Sequence, residues 1–240
     1  MVNYSQFSWV YFLREKFNTF DAFQSLVLKI QNEQGVSIGH IIRIRTDHGR
    51  VLENSSVLDF CDIHGIKHEF SAPITPQQNR VIEKKNMVVQ EMARVMLLSK
   101  KVPPKFWDEA LNTTVYGINS GDLRPSTLQA PYDLWKGLKP NVKYFKTFGS
   151  KCYIFKDREP LGKFDFGSDE GIFLGYSTTS RAFRVYNLRT SSLMESINVV
   201  IDDTGSSTPA IHEEENGETP ILDTEPQSQG EVEDQAQEGA

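Results

Sequence analysis

Basic residues are missing from the end of this 240-residue chain: all 26 Lys and Arg lie at or before Arg189, and residues 202–240 hold 12 acidic residues and no basic one. Cysteine is nearly absent. Cys61 and Cys152 stand far apart with no CxxC or Cys/His spacing, which excludes a zinc knuckle or a disulfide framework and leaves two small buried apolar residues in a reducing compartment. No apolar run reaches the ~18 residues a membrane helix needs. The opening residues Met1-Val2-Asn3-Tyr4-Ser5 carry no basic stretch, which excludes a signal peptide there.

What is present is a basic body with an acidic end. The whole chain sums to −6, yet residues 1–201 carry 26 basic against 20 acidic residues, a balance of +6. That asymmetry fits a polyanion-binding domain followed by a disordered, partner-binding or merely linking acidic tail. The plain alternative is ordinary surface charge spread over 201 residues.

Phe7–Leu13 (FSWVYFL) is aromatic and β-rich and reads as a buried strand. Residues 19–33 have apolar positions at Phe20, Phe23, Val27 and Ile30, which predicts a helix with Thr19 as N-cap and Gly35 as stop. Residues 38–46 predict a strand ending at Asp47. Residues 54–64 predict a helix with Val57, Leu58, Cys61 and Ile63 apolar, and residues 66–71 a short strand. Two prolines make 72–79 (APITPQQN) a loop, and helical periodicity resumes from Val81 to about Leu98. A further helix spans 106–119. Alternating strands and helices indicate an α/β layer with a mixed sheet. After Pro140 the pattern becomes short β-rich runs at 148–155, 170–176, 182–188 and 193–201, with Gly162, Gly167 and Asn187 in turns, which suggests a small all-β barrel. Beyond Thr204, large apolar residues are too few to order the segment.

Asp47 at a strand end and Glu83 in the first turn of a helix are places where a fold can aim carboxylates at one point. Magnesium takes hard oxygen ligands and keeps waters, so one or two carboxylates plus substrate phosphates suffice. Two such ions would clamp the attacking and leaving oxygens of a phosphoryl transfer. Taken alone, an Asp after a strand is more usually a turn former and a Glu in a first helical turn a helix-dipole partner. Arg43, Arg45 and Arg50 flank Asp47, and Arg80, Lys84 and Lys85 flank Glu83, so they could line a phosphate-binding surface. His48, His64 and His68 lack ligand spacing, and Trp9, Trp107 and Trp135 sit among apolar residues as packing groups rather than base-stacking platforms.

The words RTDHGR, FCDIHGIKHEFSAPITPQQNRVIEKKN and EMARVMLL resemble the integrase core of copia-type LTR retrotransposon polyproteins. FWDEALNTTVYGIN, PYDLWKG and FGSKCYIF resemble the stretch after that core, and GIFLGYSTTSRAFRVYN the Src-homology-3-like module beyond it. The likeness covers roughly residues 2–203. It implies an RNase H-like fold and a catalytic Asp, Asp, Glu set with 35 residues between the last two, the number that separates Asp47 from Glu83. It also implies DNA as partner, through backbone contacts from Arg45, Arg50, Arg80, Lys84 and Lys85, with Mg2+ or Mn2+ as cofactor.

The departures matter equally. The family's first Asp falls upstream of the word matched by Tyr4-Ser5, so the chain is expected to be N-terminally truncated, lacking also the zinc-binding module. Val2 and Asn3 replace the usual acidic pair, Arg80 a glycine, and Met87 a basic residue. In such sites the first Asp bridges both metals, so the expectation is weak metal binding and no catalysis, with positioning of the in-line transfer lost. The expected fold is therefore an incomplete RNase H-like α/β core over 1–102, a helical extension over 103–141, a β-barrel module over 142–203 and an acidic tail over 204–240. The expected function is a remnant of a DNA-integrating polynucleotidyl transferase. The alternative is a non-catalytic DNA-binding or assembly module. Under either reading, a homo-oligomer located in nucleus or cytoplasm is expected.

Overall fold

The structure, a computed structural model, describes residues 1–34, 41–46, 55–70, 76–156 and 166–203, apart from Asn3 and Ser126. The helices are α1 (Thr19–Gln34), α2 (Ser55–Ile63), α3 (Pro76–Ser99), α4 (Trp107–Gly121) and α5 (Pro131–Lys136). The strands are β1 (Arg43–Thr46), β2 (Lys67–Phe70), β3 (Lys151–Phe155), β4 (Ser168–Tyr176), β5 (Phe183–Asn187), β6 (Ser192–Ser196) and β7 (Val199–Ile201). The expected order, an α/β part followed by an all-β part, is what the chain adopts.

In the first part, β1 and β2 pair in parallel, Arg43 opposite Lys67 through Thr46 opposite Phe70. Val27 of α1 and Val57, Phe60 and Cys61 of α2 close a small core with Ile66. Phe60 meets Phe20 and Phe23 edge-on at 6.2 and 5.9 Å. Of the four apolar residues expected on one α2 face, Val57 and Cys61 are buried, whereas Ile63 is 79% exposed. Helical period puts Phe60 with Val57 and Cys61, three and four residues apart, and turns Ile63 away. Gly65 then reverses the chain at φ +65°, which a residue with Cβ adopts reluctantly.

In the second part, five strands form one antiparallel sheet in the order β6-β5-β4-β3-β7. β4 is central and buried on both faces. Ile172 and Leu174 point into a core with Ala93 of α3, Phe106, Ala110 of α4 and Phe148. Phe173 points the other way, onto Cys152, Ile154 and Val185. A strand covered on both faces needs a continuous apolar run rather than alternation, and GIFLG supplies it. Where β4 slips register between Phe173 and Gly175, α4 comes close: Thr113 Oγ1 donates to Leu174 O at 2.7 Å, and a Cβ on Gly175 would clash with Thr113 Oγ1. Burial pushes the Cys152 thiol up to about 12, so it stays protonated and inert.

Several expectations are corrected. Residues 7–13 form no strand, and Tyr11, Phe12 and Leu13 are exposed. Among the described residues no strand lies beside them. Instead the Asn119 side chain substitutes for a neighbour: its Oδ1 accepts from Ser8 N at 3.0 Å and its Nδ2 donates to Ser8 O at 2.8 Å. Phe7 and Trp9 pack on Trp135 of α5, with ring centroids 5.8 and 5.3 Å away. Helix α3 starts at Pro76, inside the expected loop, because proline in the first turn forfeits no intrahelical bond. Glu83 is thus the eighth residue of α3 and not in its first turn. Thr19 is no N-cap acceptor; its hydroxyl donates to Lys16 O at 2.6 Å. Asn187 ends β5 as a buried residue rather than sitting in a turn, donating to Asp169 at 3.0 Å. Gly35, Gly162 and the 204–240 tail lie outside the described residues.

Candidate carboxylate site and basic surfaces

Strand β1 leads directly to Asp47. Its alternation turns Ile44 and Thr46 inward and Arg43 and Arg45 outward. Ile44 packs on the α1–α2 core, which fixes the strand's rotation. Thr46 Oγ1 lies 2.9 Å from His68 Nε2 on β2, so the last residue before Asp47 is held by a side-chain bond as well as by the ladder. Burial lowers the His68 imidazole below its ordinary value, favouring the neutral ring. Asp47, His48 and Arg50 lie outside the described residues.

On the outward face, one carboxylate collects three cations. Glu69 takes Arg43 Nε at 3.3 Å, Arg45 at 3.5 Å and Lys67 Nζ at 3.1 Å. The hydrogen bond from Lys67, with the neighbouring Arg43 charge, holds Glu69 below the usual carboxylate range. Three cations on one carboxylate leave a local balance of +2, and Arg43, Arg45 and Lys67 are all more than 45% exposed. Arg45 is therefore available to a polyanion, but it would have to share or leave Glu69.

Glu83 is exposed on α3, and among the described residues its carboxylate has no ion pair or hydrogen bond. Arg80 is three residues earlier on the same helix, its side chain outside the described set. Lys84 is exposed. Lys85 turns inward: its ammonium donates to Gln6 O at 2.8 Å, and burial lowers its pKa despite the attraction of Asp122. It borders a cavity of about 140 Å³ between Ser8–Val10, Ile82 of α3 and Ile118 of α4. Among the candidates, Lys84 and Arg45 are the ones placed at the surface, and Lys85 is engaged with backbone. No group of three His, Cys, Asp or Glu side chains with metal-binding geometry occurs among the described residues.

A second basic region lies further along the sequence. Residues 134–156 contain six lysines and no acidic residue. That acid-free run was the available signal in the sequence; looking only at the neighbours of Asp47 and Glu83 hides it. The segment joining α5 to β3 is pinned to the sheet by Tyr176, whose hydroxyl accepts from Lys146 N at 2.7 Å and donates to Tyr144 O at 3.3 Å. Burial pushes the Tyr176 phenol up to about 12, keeping the proton that the bond to Tyr144 needs.

Residues 150–215 match the family model "Retroviral polymerase SH3-like domain". The chain is 31% identical over 202 residues to the Retrovirus-related Pol polyprotein from transposon TNT 1-94 of Nicotiana tabacum, covering 84% of this chain and 15% of that protein. The Retrovirus-related Pol polyprotein from transposon RE2 of Arabidopsis thaliana is 29% identical, over 84% of this chain and 14% of its own length. The chain thus spans about a seventh of the curated relatives it matches. Among solved structures, the HTLV-2 integrase catalytic core domain in complex with magnesium aligns at a TM-score of 0.42 and 17% identity, over 55% of this chain and 79% of that one. The resemblance to Pol polyproteins of copia-like plant transposons, read from the sequence words, is borne out.

Proposed function

We propose that this chain, a relative of a stretch of the copia-like transposon Pol polyproteins, derives its function from DNA integration and acts on the DNA backbone. The observation that carries the reading is the 35-residue separation of Asp47 and Glu83 inside a stretch similar to those polyproteins over 84% of the chain. The structure supports it at two points. Strand β1 ends at Thr46, the residue before Asp47 in sequence, with Thr46 tethered, and the Glu83 carboxylate is exposed without a partner among the described residues.

An exposed, unpaired carboxylate on a rigid helix is a suitable oxygen ligand for a hard divalent cation, so Glu83 fits a magnesium or manganese ion, with Asp47 as its companion. Such an ion, when bound, supplies charge stabilisation at a phosphoryl group under in-line attack. The chain's own residues orient and screen: Arg45, Lys84, Arg50 and Arg80 hold phosphates near the carboxylates, and Lys85 fixes α3 against the 1–10 segment. Two carboxylates without a third ligand bind the ion weakly. Assayed by themselves, these 240 residues are therefore inactive in strand transfer.

We take residues 1–102 as the core, 103–141 as the helical extension, 142–203 as the β module and 204–240 as the acidic tail. The setting is intracellular, with DNA as partner and self-association into a homo-oligomer.

The test is a strand-transfer assay on labelled duplex DNA with Mg2+ or Mn2+. No product is expected from the chain, and metal-dependent product abolished by Glu83→Ala would overturn the claim of inactivity. Alongside it, DNA affinity is measured against salt. Arg45→Ala and Lys84→Ala should each flatten the log–log slope by about 0.9, one phosphate contact apiece. Slopes unchanged in both variants would remove these residues from the interface. Binding that persists in Asp47→Ala/Glu83→Ala, with no activity in any metal, favours a non-catalytic DNA-binding module, a reading supported by the +2 cluster around Glu69.

A further inference from the structure

The acid-free run 134–156 splits its six lysines by how they are satisfied. Four have a carboxylate: Lys136 with Glu33 at 2.8 Å, Lys146 with Asp203 at 2.6 Å, Lys151 with Glu170 at 2.7 Å and Lys156 with Asp169 at 2.9 Å. Lys139 and Lys143 are exposed and have no acidic partner among the described residues. They belong to the segment between α5 and β3 that Tyr176 pins to β4 at Tyr144 and Lys146, and their ammonium groups are unmatched among the described residues.

Asp203 is the last described residue, and its carboxylate already sits on Lys146, three residues from Lys143. The chain thus leaves the sheet at the lysine connector. Residues 204–240 contain ten acidic residues and no Lys or Arg, with Glu213, Glu214, Glu215 and Glu218 as their densest cluster. Ten residues of chain span at most about 33–36 Å, enough to bring Glu213 back to Lys139 and Lys143 from Asp203. A tether of this length also raises the local concentration of the cluster to the order of millimolar, which favours an intramolecular partner over a free one.

We infer that the acidic tail is a tethered occupant of the Lys139–Lys143–Lys146 surface, with the 213–218 cluster continuing the contact that Asp203 begins. Individual exposed ion pairs are weak, so the contact is multivalent and salt-sensitive. It does not depend on the carboxylate site. Where the surface also meets a nucleic acid, the tail competes for the same ammonium groups.

Amine acetylation of the full-length protein, read residue by residue by mass spectrometry, tests this. At low salt Lys139 and Lys143 should be modified roughly threefold or more slowly than in high salt, where the Debye length shrinks to about 3 Å. The full-length variant with Glu213→Gln, Glu214→Gln, Glu215→Gln and Glu218→Gln should lose that protection. Lys84, distant in sequence and on α3, should react at the same rate in both. Carbodiimide cross-linking of an equal mixture of light and nitrogen-15-labelled chains should join Lys139 or Lys143 to the 213–218 cluster within one chain. Equal acetylation rates in both proteins overturn the inference. So do mixed-isotope cross-links, which would make a second copy the occupant. Protection that appears only on adding a duplex oligonucleotide, and is indifferent to the tail variant, equally overturns it in favour of nucleic acid.

Discussion

The two faces of α3 show how differently one helix can be used. Near its C-terminus, Ala93 is buried against Phe106 and Leu174, and α4 carries that contact on to the antiparallel sheet. Along its other face, Val81, Val88 and Val95 are 58%, 37% and 63% exposed, seven residues apart. The seven-residue spacing would suit a buried seam, yet among the described residues nothing covers it. Periodicity states that a helix has an apolar face; it does not state that the fold provides a partner for it. The same contrast separates the molecule's halves. The β part has a central strand buried on both sides and charges matched in pairs, whereas the α/β part has a core of few residues around a two-stranded sheet.

That contrast is most exposed to test at Phe173, which is fully buried. Phe173→Ala should cost about 3–5 kcal/mol, read as a collapse of the thermal or urea midpoint. A loss under about 1 kcal/mol would mean that the β part is no better packed than the α/β part. Next comes the pair between Arg184 and Glu109, whose carboxylate side chain is 4% exposed and takes Arg184 Nε at 2.7 Å. Arg184→Leu leaves that carboxylate buried and uncompensated, at about 3 kcal/mol, and Glu109→Gln in the same background should recover part of it. Without recovery, the loss belongs to packing and not to charge.

Asn119→Ala tests the weaker junction between residues 7–10 and α4. Two backbone bonds at Ser8 vanish, costing about 1–2 kcal/mol, and proteolysis within residues 1–13 should accelerate while the β part stays protected. A pH series probes the charge matching. Asp169 is desolvated, which alone would raise its pKa, but hydrogen bonds from Asn187, Lys156 and Arg189 hold it at about 2 against an ordinary 3.8. A carboxyl depressed on folding stabilises the fold above its unfolded pKa and loses that contribution as pH falls toward about 2. Wild type should therefore lose stability between about pH 4 and pH 2 more steeply than Asp169→Asn. Parallel pH curves would remove Asp169 as the source. The smallest effect is expected at Val95→Thr on the uncovered face, within about 0.5 kcal/mol of wild type. A loss above about 1 kcal/mol would reveal a partner on that face.

Glu83 and Asp47 were legible in the sequence as a spaced pair with matching neighbours, and the resemblance they carried is borne out. The geometry around them was legible only in part. That Glu69, already beside Lys67 on β2, would also gather Arg43 and Arg45 depends on the parallel register of β1 with β2, which brings residue 45 opposite residue 69. Nothing local to either strand specifies that pairing. Lys85 looked like its neighbour Lys84, but the turn of about 100° between successive helical residues sends one to solvent and the other to the Gln6 carbonyl.

The elements whose signals are local could be read from the residues alone. These are α1 and α2, the turn at Gly65, the short strands after Pro140, and the change from basic body to acidic end. Other features depended on contacts between distant parts of the chain. Residues 7–13 have the composition of a strand, but a strand exists only through a partner's backbone, and Asn119 supplied a side chain instead. Pro76 could end a loop or begin a helix, and the helix after it settled the matter. Side-chain chemistry is inherited from the residue; whether a carboxylate or an ammonium is free depends on what the fold brings within hydrogen-bonding reach of it.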